Sequence, residues 1–145
     1  MDVMGFNRVE LIVPEADIDA AVKQFNDVLG TRLGAPHPIA GRPVLSSTDF
    51  DGGIELVAPV GNAGAFGARL TEKGPGQIGP LVWEIADIDA ARTWLTERGY
   101  RIIFEYDSSQ GNAAEAATGV YQLVLDPGQW FGFAVTLMRR LREPA

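Results

Sequence analysis

Four ionisable side chains stand out because they interrupt apolar stretches. Arg8 and Glu10 fall within residues 6–13, Glu55 within 54–58 and Glu84 within 81–85. A charge in such a stretch is costly to bury unless it has a partner or a task. A carboxylate close to a fixed cation can remove a proton from carbon next to a carbonyl, while the positive group holds the enolate oxygen. Burial raises the pKa of such a base and the cation lowers it. The structural alternative is an ion pair in which the guanidinium fork of Arg8 simply satisfies Glu55.

Other chemistries lack their residues. The 145-residue chain has no cysteine, so disulfides, thiolate metal sites and cysteine nucleophiles are excluded. Its one histidine, His37, sits between Pro36 and Pro38, a poor position for a triad or a histidine-rich metal centre. Nineteen acids against twelve bases leave a net charge of −7. The bases are scattered apart from Arg139, Arg140 and Arg142, so no nucleic acid partner is expected. No apolar run reaches the ~18 residues of a membrane span. The N-terminus lacks a signal pattern, and the chain is expected to be cytoplasmic with no membrane partner.

An internal repeat indicates how these residues are positioned. The hexapeptide Ala16-Asp17-Ile18-Asp19-Ala20-Ala21 recurs 70 residues later as Ala86-Asp87-Ile88-Asp89-Ala90-Ala91. Each copy follows an apolar stretch and opens an amphipathic segment that ends at a glycine, Gly30 or Gly99. Two such units are too few and too long for a solenoid. In the first, a strand stopped by Pro14 precedes a helix capped by Asp17, with Ile18, Val22, Phe25 and Leu29 on one face. Candidate strands follow at 31–35, 43–48 and 54–58. The second unit repeats the pattern, with strands at 81–85, 100–106, 120–125 and 131–137. The fold class is therefore α+β, with two tandem βαβββ modules in a single domain covering 1–145. Module one spans 6–59, a linker 60–79, module two 80–138 and a tail 139–145. Residues 107–119 read as a mobile loop.

At this point the chain resembles the vicinal oxygen chelate superfamily of glyoxalase I, bleomycin-resistance proteins, methylmalonyl-CoA epimerase and extradiol dioxygenases. The resemblance rests on Arg8-Val9-Glu10-Leu11-Ile12-Val13-Pro14, Val28-Leu29-Gly30, Ile54-Glu55-Leu56-Val57-Ala58-Pro59, Ala68-Arg69-Leu70-Thr71-Glu72-Lys73-Gly74 and Asp126-Pro127. The last two are most similar to the epimerase-like branch. The resemblance implies a glyoxalase-like fold, in which the sheet curls around a central cavity. It also implies a divalent metal held by side chains of four strands. The usual histidine of the first strand falls at Arg8, and the usual Glu or Gln of the fourth falls at Glu55. The fifth-strand histidine falls at Gly79 or Pro80. The eighth-strand carboxylate falls at Thr136, or at Gly132 in another alignment. One ligand in four survives and a permanent cation replaces another, so no metal and no other cofactor is expected.

With Arg8 facing the cavity, strand alternation turns Glu10 and Ile12 inward, together with Val57, Val82, Glu84, Tyr121 and Thr136. Trp130 is placed at the mouth or at a dimer contact. The expected catalytic set is Arg8, Glu10, Glu55 and Glu84. Ile12, Val57, Val82, Tyr121, Trp130 and Thr136 are expected to contact the substrate. Two functions fit the resemblance. One is a metal-independent isomerase, epimerase or lyase acting on a small organic carbonyl or acid ligand, with Arg8 in the metal's place. The other is a non-catalytic protein that sequesters a small molecule. A homodimer is expected in either case, because the modules leave strand edges and the run 130–137 is apolar.

Overall fold

The computed structural model describes residues 1–141; Arg142 and the rest of the expected tail lie outside the described residues. The chain divides into two compact units. One comprises residues 8–79, and the other comprises residues 1–7 together with the residues from 80 onward.

The unit of residues 8–79 holds most of β1 (Val3–Ile12), α1 (Ile18–Leu29), β2 (His37–Ile39), β3 (Arg42–Asp49), β4 (Ile54–Pro59) and α2 (Gly64–Lys73). Its strands lie in the order β2-β3-β4-β1. β1 and β4 run parallel, with Glu10 beside Glu55 and Ile12 beside Val57. β3 is antiparallel to β4, with Ser46 opposite Val57 and Thr48 opposite Glu55. One face of this sheet carries Leu11, Leu45, Ile54, Leu56 and Ala58, which pack with Ile18, Val22 and Phe25 of α1. The helix ends at Gly30, whose φ of 69° is the left-handed value a glycine adopts without penalty. Side chains alternate along a strand, so the other face carries Arg8, Glu10, Ile12, Ser46, Glu55 and Val57. All six are buried.

The other unit holds β5 (Gln77–Ile85) from residue 80 on, α3 (Ile88–Glu97), β6 (Ile102–Asp107), α4 (Ala113–Thr118), β7 (Val120–Leu125) and β8 (Val135–Arg140). Its strands lie in the order β5-β8-β7-β6. Ile85, Leu123, Leu125, Val135 and Leu137 form a core with Ile88, Ala91 and Leu95 of α3. Both units therefore follow the βαβββ order that the repeat predicts.

Four local expectations are corrected. No strand forms at 31–35, where the first strand after α1 is β2 at His37–Ile39, and the last strand begins at Val135 rather than at residue 131. Asp17 makes no capping hydrogen bond, because a short 3-10 turn over Glu15–Asp17 already holds its backbone in helical geometry. Residues 107–119 are folded rather than a bare loop. Ser108 is fully buried, and its Oγ accepts the Val120 N–H at 2.9 Å. The buried Glu115 accepts from Tyr106 Oη at 2.6 Å and shares a reciprocal capping box with Asn112. Those bonds satisfy polar groups that would otherwise keep the segment in water.

Candidate active site

The face of the first unit turned away from α1 carries a cluster of charges. Arg8, 2% exposed, donates from Nε to Glu55 Oε1 at 2.8 Å. Its Cζ lies 5.3 Å from the centre of the Phe50 ring, within cation–π range. The second oxygen of Glu55 accepts from Ser46 Oγ at 2.9 Å, so both oxygens of that carboxylate are engaged. Glu10 comes only as near as 3.6 Å to Arg8 Nη2, an ion-pair distance too long for a hydrogen bond. It is nonetheless buried.

Burial and the neighbouring charges shift both Arg8 and Glu10. Burial opposes the charge of Arg8, but Glu55 and then Glu10 together outweigh it and raise its pKa. Glu10 is pushed up to about 8 by burial and by the charge of Glu55, against the smaller opposing pull of Arg8 and Arg42. One cation offsets one carboxylate, and Glu55 holds it. The second carboxyl, Glu10, therefore keeps its proton to near-neutral pH.

Residues 7–118 match the model of the Glyoxalase/Bleomycin resistance protein/Dioxygenase superfamily. The chain is also 33% identical over 133 residues to the ethylmalonyl-CoA/methylmalonyl-CoA epimerase of Cereibacter sphaeroides, covering 90% of this chain and 94% of that one. The chain belongs to the superfamily. Its fold matches too. Methylmalonyl-CoA epimerase from Mycobacterium tuberculosis superposes with a TM-score of 0.78 at 22% identity, over 98% of this chain and 90% of that one. The Streptomyces coelicolor enzyme in complex with 2-nitronate-propionyl-CoA gives 0.77 at 18% identity, over 97% of this chain and 100% of that one. The glyoxalase-like fold expected from the motifs is thus the fold of the chain.

Within the superfamily frame, the donors at this centre do not fit a divalent ion. The guanidinium of Arg8 lies between the only two carboxylates of the cluster. Among the described residues no group of three or more His, Cys, Asp or Glu side chains is arranged to hold a metal. His37 belongs to β2, and its Nδ1 lies 3.3 Å from the carbonyl of Pro38.

The expected site residues separate into groups. Arg8, Glu10, Ile12, Glu55 and Val57 share one buried face of the first unit. Glu84 belongs to the other unit, where it is half-buried and accepts from Asn7 Nδ2 at 3.4 Å. Val82 and Thr136 are register neighbours on β5 and β8 and are both buried. Tyr121 does not share their face. The β7–β8 register sets Leu123 opposite Leu137 and Tyr121 opposite Arg139, so Tyr121 lies on the α3 side. There Arg92 of α3 stands 6.0 Å over its ring. Trp130 also packs against the α3 core, with its indole N–H buried and without a hydrogen-bond partner. Sequence reasoning missed Ser46 and Phe50. A small polar residue at alternate spacing with Thr48 was the only available sign of Ser46, and its partner depends on strand register.

Proposed function

We propose that the chain is an epimerase-type isomerase that moves the proton on carbon next to the carbonyl of a small acyl thioester. The buried Arg8–Glu10–Glu55 cluster carries this reading, because Arg8 and Ser46 take both oxygens of Glu55 while Glu10 stands 3.6 Å from the same guanidinium. The epimerases it resembles support the substrate class. In the proposed step, ionised Glu10 takes the α-proton. The C–H electron pair becomes the C=C bond of an enolate, and the carbonyl π pair moves onto oxygen. Arg8 supplies the fixed positive charge that stabilises this oxygen, while Glu55 and Ser46 hold the guanidinium in place. Return of the proton from Glu10 to the same face restores the starting isomer. A proton delivered from solvent to the opposite face of the enolate inverts the carbon as the electron pair flows back from oxygen, and Glu10 then releases its own proton to solvent. No metal enters the step. The substrate contacts proposed beside the cluster are Ile12 and Val57. Glu84, Val82 and Thr136 are further candidates in the other unit. We further expect two copies of the chain to pair.

The test is deuterium exchange at the α-carbon of methylmalonyl-CoA in heavy water, followed by mass spectrometry. Exchange should survive a chelator and fall roughly 100-fold or more in Glu10→Gln, as losing a general base does. Tight binding of the thioester with no exchange would instead support the sequestering function. Exchange abolished by the chelator would return the reaction to a metal.

A further inference from the structure

β3 carries a second cation on the face of the charged cluster. The strand begins at Arg42, and its register sets Ser46 opposite Val57 and Thr48 opposite Glu55. Ser46 bonds Glu55 on the face turned away from α1, whereas Leu45 packs with the α1 core. Alternation along the strand therefore puts Arg42, Val44, Ser46 and Thr48 on the cluster face. The backbone of Arg42 is held by a tight turn, in which Ile39 of β2 pairs with Arg42 across Ala40 and Gly41. Gly41 supplies the positive φ that such a turn needs, at 72°. Val44 and Ser46 are buried, but Arg42 is exposed. Its charge nevertheless reaches Glu10, where it acts with Arg8 to favour the carboxylate. Arg42 thus stands at the water-facing side of the face whose buried charges are Arg8, Glu10 and Glu55.

We infer that Arg42 is a specificity-determining residue, whose guanidinium receives an anionic substituent on the α-carbon of the thioester and so selects carboxylated thioesters over uncharged ones. The inference rests on the epimerase reading above and assigns recognition of the substrate's second acid group to this side chain. Charge balance supports it. With Glu10 ionised, Glu10 and Glu55 set two negative charges against the single positive charge of Arg8. An α-carboxylate arriving beside them would be repelled. Loss of the α-proton then adds negative charge on the enolate oxygen, close to that same carboxylate. Arg8 meets this demand only in part, because its Nε is committed to Glu55. A second guanidinium on the same face balances the two carboxylates and attracts the incoming anion. Arginine suits the task, since its planar fork takes both oxygens of a carboxylate. A thioester without the substituent simply leaves Arg42 in water, so the selectivity comes from attraction to the charged group.

Calorimetry with two thioesters that differ in this group tests the inference. Methylmalonyl-CoA carries the α-carboxylate and propionyl-CoA lacks it, so the ratio of their affinities cancels contacts to the shared CoA portion. The wild type should prefer methylmalonyl-CoA roughly tenfold or more, the usual worth of a charge-assisted hydrogen bond. Arg42→Gln should remove most of that preference by weakening methylmalonyl-CoA alone. Arg42→Lys keeps the charge without the fork and should retain part of it. Arg32→Gln, which removes another exposed arginine outside β3, should keep the wild-type preference. In α-proton exchange of methylmalonyl-CoA, the loss in Arg42→Gln should fall mainly on KM. Equal weakening of both thioesters in Arg42→Gln would assign the side chain to the CoA portion, and an unchanged preference would remove it from recognition. Either result overturns the inference. Binding is read without turnover, so a wild type that binds but exchanges no α-proton would overturn the epimerase reading while the affinity ratios still decide the role of Arg42. A wild type that binds neither thioester would remove both.

Discussion

Glu10 and Glu55 are neighbours in register and carry the same functional group, yet the structure gives them different tasks. Arg8 and Ser46 occupy both oxygens of Glu55. Glu10 comes no nearer to Arg8 than 3.6 Å, and burial with the charge of Glu55 pushes its pKa up to about 8. Its raised pKa has two consequences of opposite sign. The folded protein binds this proton more tightly than the unfolded chain does. Glu10 therefore contributes stability that is full below about pH 4.5 and is lost as pH rises through about 8. Ionisation of Glu10 over the same interval should increase the rate of α-proton exchange. Urea unfolding across this range should show stability falling with pH in the wild type and a flatter profile in Glu10→Gln. The Arg8–Glu55 pair makes a separate prediction. Arg8→Ala leaves a buried carboxylate unpaired and should cost ~3–5 kcal/mol, whereas Arg8→Met with Glu55→Gln should recover most of that loss. Denaturant midpoints of the single and double variants would measure both.

Identical local sequence did not produce identical local structure. Both copies of the repeated hexapeptide enter a helix at an aspartate, but only Asp87 caps it. The backbone of Asp87 is extended, with φ −145° and ψ 117°, and its carboxylate accepts the Ala90 N–H at 2.9 Å. Asp17 stands at φ −105° and ψ −9° at the end of a 3-10 turn that follows Pro14, and it makes no such bond. Asp87→Ala should therefore cost about 1 kcal/mol, the usual value of a lost N-cap. Asp17→Ala should stay within ~0.5 kcal/mol of the wild type, as surface substitutions without a special role do. Thermal unfolding of the two variants compares them directly.

For the whole molecule, family membership fixes the scaffold but not its centre. The chain matches epimerases along nearly its full length, while the donors gathered around Arg8 do not fit a divalent ion.

The repeat and the alternation of apolar residues were sufficient for two βαβββ modules and for placing Arg8, Glu10 and Ile12 on one side of a strand. Both are local properties, set by the periods of helix and strand. The remaining features depended on register and burial. β7 and β8 pair odd residues with odd, as in Leu123 with Leu137, so Tyr121 faces away from Thr136; a one-residue slip would have reversed this. The same kind of pairing between β3 and β4 brings Ser46 within reach of Glu55. Neither register could be inferred from a single strand, because each is set by the turn and packing beyond its ends. The protonation of Glu10 is tertiary for the same reason. A carboxyl has no unusual pKa in sequence and acquires one only when folding removes its water and places another charge beside it.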